Sequence, residues 1–330
     1  MDLSGATILL TGGTGSFGNA FVERVTALHP DVTIRIYSRD ELKQSQMQQK
    51  FAGNQNLRFM IGDVRNKTRT ARAIQGCDFV VHAAAMKQVP ACEYNPFEAV
   101  QTNILGAQHV VDCSIDSGVK KVIGVSTDKA VNPVNLYGAT KLCAEKIFTQ
   151  GNAYAMGSDT RLACVRYGNV VGSRGSVVPL FQKQAAEEGR VTITDERMTR
   201  FWIMLDQAVD LVLDAIEFAV GGEVLIPKIP SMRVTDLADA IAPGVPYDVV
   251  GIRPGEKLHE VLLTSEEARN AVDAGKYYVV MPQLSFWSGI EEQWSDSKAL
   301  DEGFEYVSHT NDEWLTVDEL RQLVAQGSSH

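Results

Sequence analysis

The strongest constraint on this chain is the string Thr11-Gly12-Gly13-Thr14-Gly15-Ser16-Phe17-Gly18, which directly follows the apolar run Ala6 to Leu10. A strand that runs into spaced glycines and then into a helix, here Phe17 to Leu28, is the setting of a dinucleotide fingerprint. Glycines permit the tight turn and let a pyrophosphate approach the backbone. The helix N-terminus adds N–H donors and partial positive charge. Gly12, Thr14, Gly15, Ser16, Phe17 and Gly18 are therefore assigned to a dinucleotide.

The rest of the first half supports that assignment. Val32 to Tyr37, Leu57 to Ile61, Asp78 to His82, Lys121 to Val125 and Leu162 to Val165 are nearly continuous in Val, Ile and Leu, as in parallel strands buried on both faces. Helices are expected between them, including Pro96 to Ser117 and Tyr137 to Asn152. This predicts an α/β fold, a doubly wound parallel sheet of Rossmann type. After residue 168 the rhythm changes. Gly168 to Ser176 is glycine-rich, and Val177 to Glu188, Leu205 to Ala219 and Val234 to Ile241 are expected helices around a short strand at Val191 to Thr194. We expect residues 1–168 to form the dinucleotide domain with the catalytic groups. Residues 169–330 would form a smaller α/β substrate-binding cap, parts of which can return to the main sheet.

Charge and cysteine usage narrow the function. A net charge of −10 argues against a general nucleic-acid binder, although a few arginines in a cleft can still hold a phosphorylated small molecule. The five cysteines form no C-x-x-C pair and the six histidines show no metal-ligand spacing, so neither disulfides nor a metal are expected. No apolar run of about 18 residues and no basic-then-apolar start is present. The expected location is the cytoplasm.

The end of the second strand selects the cofactor. An NAD site usually has a carboxylate there for the ribose 2′-OH. This chain has Ser38 and Arg39, with Lys43 one turn on, a set that would accept a 2′-phosphate, and NADP is expected. The competing interpretation makes these ordinary helix-start charges with Asp40 as N-cap. Asp63 suits an adenine contact, with Val64 beside it, and Ala83, Ala84 and Ala85 are small enough to lie beside the cofactor. Thr127, Asp128 and Lys129 follow the fifth strand. Tyr137 and Lys141, four residues apart, share one helix face. A lysine near the phenol lowers its pKa and prepares it to take a proton from a substrate hydroxyl, which Thr127 can also bond.

The G-x-x-G-x-x-G loop together with Tyr137-x-x-x-Lys141 resembles the extended short-chain dehydrogenase/reductase family. Within it, retaining nucleotide-sugar 4,6-dehydratases carry Asp-Glu where this chain has Asp128-Lys129. That pair, with Ser38 to Lys43, Met86 to Glu93 and Gly251 to Glu260, is similar to the inverting UDP-N-acetylglucosamine 4,6-dehydratases of the pseudaminic-acid and related polysaccharide pathways. The resemblance implies a lyase that oxidises sugar C4, eliminates water across C5–C6 and reduces C6 with the same NADP. Asp128 would hold a proton for the departing C6 oxygen. Lys129 would remove the C5 proton as a neutral amine. A free lysine has a pKa of about 10.4, so the site is expected to lower it by desolvation or through Lys87, Lys141 and the nicotinamide.

The resemblance also implies a substrate contact at Asn169. Arg174, Arg197, Thr199, Arg200 and Arg253 are candidates for the diphosphate and ribose, Glu256 for ribose hydroxyls, and Lys87 with Met86 for the sugar. Relatives of this fold pair through the helices at 96–117 and 137–152, so a homo-oligomer, at least a dimer, is expected. Two alternatives stay open. A UDP-sugar 4-epimerase or related oxidoreductase would have no use for Asp128 and Lys129. A non-catalytic dinucleotide sensor would have no use for Thr127, Tyr137 and Lys141 either.

Overall fold

The computed structural model describes residues 3–172, 177–284 and 289–327. The first six strands are β1 (Thr7–Thr11), β2 (Thr33–Ser38), β3 (Leu57–Ile61), β4 (Phe79–His82), β5 (Lys121–Thr127) and β6 (Arg161–Tyr167). They lie in the order β3-β2-β1-β4-β5-β6, all parallel, with helices connecting them. The chain works outward from β1 in one direction and then from β4 in the other. The switch between β1 and β4 opens a crevice at the carboxyl ends of the strands, where ligands bind in doubly wound sheets.

The sheet does not end at β6. Val224–Pro227 continues it in parallel, and Tyr277–Val280, Ala271–Asp273 and Lys298–Ala299 add antiparallel strands, ten in all. The main hydrophobic cluster accordingly draws on both halves, from Ile8 and Val81 to Leu211, Leu225 and Leu262. Two smaller clusters, around Trp202 and Leu320 and around Phe181 and Val191, hold the remaining elements of the second half.

Local sequence explains the departures from the expected elements. β5 runs two residues further than the apolar run, to Thr127. The helix carrying Tyr137 starts at Leu136 because Asn135 caps it, its side chain accepting from Gly138 N at 2.8 Å. The stretch from Pro96 is helical to Asp116, but Val100–Leu105 is a π-helical segment between two α-helical ones. That segment contains buried Asn103, whose side chain accepts from Met86 N at 2.8 Å and donates to Met86 O at 2.9 Å and to Thr140 Oγ1 at 2.9 Å. The widened turn thus ties the loop after β4 to the helix that carries Tyr137, and π-bulges often lie at functional sites.

Candidate active site

The crevice holds a cavity of about 660 Å³, walled by the glycine loop and the ends of β2, β4 and β5. Gly12 has φ +68°, and a Cβ there would sit 2.8 Å from Ala84 N, so only glycine allows the loop to touch the Ala83–Ala85 segment. Thr11 secures the same junction: its hydroxyl lies 2.8 Å from His82 Nδ1 and accepts from Ala84 N at 3.2 Å. His82 is buried, and desolvation, helped by Lys141, pushes its pKa down to about 3, so the ring is neutral. Gly15 is the N-cap of the helix Ser16–Leu28 and provides no side-chain cap, which suits a first turn that receives an anion instead. Gly12, Thr14, Gly15, Ser16 and Phe17 line the cavity. Gly18 does not. It packs on the backbone of Gly13, where a side chain would collide. The cradle fits a dinucleotide.

Ser38, Arg39, Lys43, Asp63, Val64, Ala83, Ala84 and Ala85 also line the cavity. The Ser38 hydroxyl accepts from Gln44 Nε2 at 3.0 Å. Arg39 is 58% exposed, its guanidinium 3.7 Å from Asp63. Asp63 is chiefly engaged by Arg65, at 2.7 Å, and although burial opposes it, that partner keeps the carboxyl pKa below its ordinary value. Asp40 is indeed an N-cap: it accepts from Lys43 N at 3.0 Å and pairs with Lys43 Nζ at 3.0 Å. Asp40 thus has the capping role of the competing interpretation, while Arg39 lines the cavity.

At the end of β5, Thr127, Asp128 and Lys129 turn toward the helix Leu136–Gly151. Gly138 makes the approach possible, because a Cβ there would strike the Lys129 carbonyl oxygen. Asp128 is fully buried, and its Oδ1 accepts from Thr127 Oγ1 at 2.9 Å and from Lys129 Nζ at 2.9 Å. The Tyr137 phenol faces the same cluster, where Lys129, Asp128 and Thr127 all act on it. Two expectations about acidity are corrected. Burial favours the neutral amine of Lys129, but Asp128 and Glu260 outweigh it and raise the pKa. Burial also pushes the Tyr137 phenol up to about 12, and the lysine that lowers it is Lys129 rather than Lys141. Lys141 is buried, donates to Val125 O at 2.7 Å and has its own pKa lowered by desolvation.

The proposed substrate contacts separate into three groups. Lys87 and Asn169 line the cavity, and the Lys87 pKa is lowered by desolvation and by Lys129. Arg200 reaches the catalytic cluster from the Thr199–Ile203 strand, with Nε 3.6 Å from Glu260 Oε1. Arg197, Thr199, Arg253 and Glu256 do not line the cavity. Arg197 is exposed and forked onto Asp195 at 2.8 Å, whereas the buried Thr199 hydroxyl is held by His259 at 2.8 Å and Ser308 at 2.7 Å. Arg253 is 59% exposed beside Glu256. Arg174 lies outside the described residues.

Comparison with known proteins fixes the family. The profile described as "Polysaccharide biosynthesis protein" matches residues 8–282. The chain belongs to that family. UDP-N-acetylglucosamine 4,6-dehydratase (inverting) of Campylobacter jejuni subsp. jejuni serotype O:23/36 (strain 81-176) is 47% identical over 97% of this chain and 98% of its own length. UDP-glucose 4-epimerase of Rickettsia canadensis (strain McKiel) is 41% identical over 96% of this chain and 95% of its own. The X-ray structure of Pen from Bacillus thuringiensis is 37% identical, superposes with a TM-score of 0.90 and covers 99% of both chains.

In this member of the polysaccharide biosynthesis family, sequence reasoning missed Asn103, Lys257 and Glu260 as parts of the site. Lys257 Nζ bonds the Val131 carbonyl and lies 3.9 Å from Glu260, and Glu260 Oε1 lies 3.7 Å from Lys129 Nζ. Gly255 O accepts from Asn135 Nδ2 at 2.8 Å. The whole segment from Gly255 to Glu260 is docked on the catalytic turn, more than a hundred residues away in sequence, so no spacing rule could have linked them.

Proposed function

We propose that this chain is a UDP-N-acetylglucosamine 4,6-dehydratase that inverts C5 and forms UDP-2-acetamido-2,6-dideoxy-β-L-arabino-hexos-4-ulose. The observation that carries the proposal is the Lys129–Asp128 contact of 2.9 Å, beside Thr127 and Tyr137, in a cleft built for a dinucleotide. An epimerase or a simple oxidoreductase has no need of that pair. Bound in the cradle, the cofactor, NADP in our interpretation because of Arg39, supplies an acceptor for hydride from C4 and a donor of hydride to C6.

The protein's own groups account for the proton chemistry. Tyr137, beside Thr127, takes the C4-hydroxyl proton, and Lys129 lowers the phenol pKa against the effect of burial. The elimination needs Lys129 as an amine and Asp128 as an acid. One proton moving from Lys129 Nζ to Asp128 Oδ1, along their existing hydrogen bond, creates both forms without exchange with solvent. Lys129 then takes the C5 proton while Asp128 gives its proton to the C6 hydroxyl, which leaves as water. Lys129 ends as ammonium and Asp128 as carboxylate, the pair as it began. Once C6 has been reduced, C5 takes a proton from solvent on the opposite face, and Tyr137 balances it by releasing the C4-hydroxyl proton to solvent. The raised pKa of Lys129 is therefore compatible with its role as base, because the proton it must lose has an acceptor already in place.

Incubation with UDP-N-acetylglucosamine in deuterated water, followed by NMR of the product, tests the assignment. The expected product is a 4-keto-6-deoxy sugar with deuterium at C5 and inverted configuration. An intact C6 hydroxymethyl group overturns it and favours the second reading, a 4-epimerase, which the Rickettsia relative supports. We further expect a cytoplasmic homo-oligomer paired through the helices at about 96–117 and 137–152. Support comes from the exposure of Phe97 and Leu105 on the first and of Tyr94 just before it (78%, 41% and 87%), and sedimentation would test it.

A further inference from the structure

We infer that Glu260 is a positioning residue for this chemistry, a second carboxylate on Lys129 that governs where the proton of the Asp128–Lys129 pair resides. The inference rests on the dehydratase reading given above. Its basis is geometric. Glu260 is 3% exposed and immediately precedes the strand Val261–Leu263. Its backbone is fixed in both directions to Ser308, Glu260 N donating to Ser308 Oγ at 2.9 Å and Ser308 N to Glu260 O at 2.9 Å. Its side chain enters the catalytic cluster, where Oε1 is 3.7 Å from Lys129 Nζ and 3.6 Å from Arg200 Nε, and Oε2 is 3.9 Å from Lys257 Nζ.

These distances are long for a carboxylate as buried as Glu260. Charge-assisted hydrogen bonds close to about 2.7–2.9 Å, and a buried carboxylate without them carries a desolvation cost. Glu260 Oε2 has no hydrogen-bond partner among the described residues, and neither has Asp128 Oδ2. An arrangement serving stability alone would have closed these contacts. An arrangement that lets Lys129 shift toward a substrate carbon and lose a proton needs the opposite: strong field, loose contact.

The charged and titratable groups facing Lys129 are Asp128 on its own turn, Glu260 and Lys257 on the docked segment, Arg200 on the strand Thr199–Ile203, Lys87 after β4, and Tyr137 on the helix Leu136–Gly151. Two are carboxylates, three are cations and one is a phenol. Without the Glu260 charge, Asp128 is left as the one carboxylate of that set, facing Arg200, Lys257 and Lys87, and the ammonium is held less firmly. The direction agrees with the raised Lys129 pKa, to which burial is opposed and both carboxylates contribute.

The test is a pH titration of the Lys129 Nζ resonance in the full-length protein by ¹⁵N-lysine NMR, assigned with Lys129→Met, alongside C5 deuterium exchange on UDP-N-acetylglucosamine. In the wild type, the Lys129 ammonium should persist above about pH 10.5, past the midpoint of an ordinary lysine. In Glu260→Gln the Lys129 midpoint should fall below that of the wild type, and the alkaline limb of C5 exchange should move to lower pH with it. Superimposable titration curves overturn the role of Glu260. Glu260→Asp provides a second arm should Glu260→Gln not fold. Its retained charge should preserve the wild-type titration, while the shortened reach slows C5 exchange about tenfold at unchanged KM. Unchanged exchange in that variant also counts against the inference. Absence of C5 exchange in the wild type sinks the dehydratase reading itself, a separate result.

Discussion

Two buried charge clusters flank the catalytic helix, and they are built differently. Arg166, on β6, is 1% exposed and forks onto Glu145 at 2.6 and 3.1 Å and onto Glu267 at 2.7 and 2.9 Å, with a further bond to Leu262 O at 2.8 Å. It joins β6, the helix Leu136–Gly151 and the helix Ser265–Ala268 at one point. The cluster at the end of β5 has one close pair, Lys129–Asp128, and three contacts of 3.6–3.9 Å around Glu260. Burying a charge is costly, and full hydrogen bonding is what offsets it. Arg166 meets that condition and fixes the scaffold. The Glu260 cluster does not: Asp128 Oδ2 and Glu260 Oε2 have no hydrogen-bond partner among the described residues, and these are the groups around the base of our proposal.

The comparison breaks most sharply at Lys129. Lys129→Met should reduce C5 exchange by about 10²–10⁴-fold, the usual contribution of a positioned base, while urea denaturation shows a smaller loss of stability than the Arg166 variant. Undiminished exchange would remove Lys129 from the mechanism and, with it, the contrast between the clusters. Arg166→Met should cost about 3–5 kcal/mol, because it leaves Glu145 and Glu267 facing each other without their cation, with little change in KM for the fraction that remains folded. Equal destabilisation by the two substitutions would show that both clusters are structural.

Acid sensitivity should also follow the contrast. Burial raises the Glu145 pKa, but Arg166 overrides it and holds the carboxyl below its ordinary value. Glu145 therefore stabilises the fold fully above the unfolded pKa of about 4.3, and the contribution is lost as pH falls through the lower folded value. Thermal unfolding followed from pH 7 down to pH 3 should show that loss in the wild type and a much flatter dependence in Arg166→Met. Parallel curves would mean that other carboxylates dominate acid unfolding.

The same contrast explains what was legible in the sequence. Parallel strands buried on both faces announce themselves as Val, Ile and Leu runs, and the glycine loop and the Tyr137–Lys141 pair are local patterns on single elements. Asp128 and Lys129 were visible because they adjoin each other at a strand end. Their surroundings were not, since Glu260, 3.7 Å from Lys129, reaches them only through the fold. Arg197 and Thr199 were candidates for the diphosphate and ribose by residue type, and the fold gives each a partner the sequence does not record, Asp195 for the first and His259 with Ser308 for the second. Nothing in composition or periodicity records which partner a polar side chain finds.

Arg39 extends the series to a third kind of buried-to-open charge and carries the smallest expected effect. Its guanidinium is 3.7 Å from Asp63, longer than any contact of Arg166, and it is 58% exposed at the cavity wall. A pair so open contributes little to stability, and Asp63 already has Arg65 at 2.7 Å. Arg39→Ala should therefore leave the thermal midpoint nearly unchanged. If the guanidinium meets a 2′-phosphate, its loss should weaken NADP binding about tenfold, in line with one charge-assisted contact, and leave NAD binding within about twofold of the wild type. Calorimetric titration with each dinucleotide separates the possibilities. Equal losses for NADP and NAD would assign Arg39 to the adenine or ribose in general, and unchanged binding of both would return it to the role of an ordinary helix-start charge.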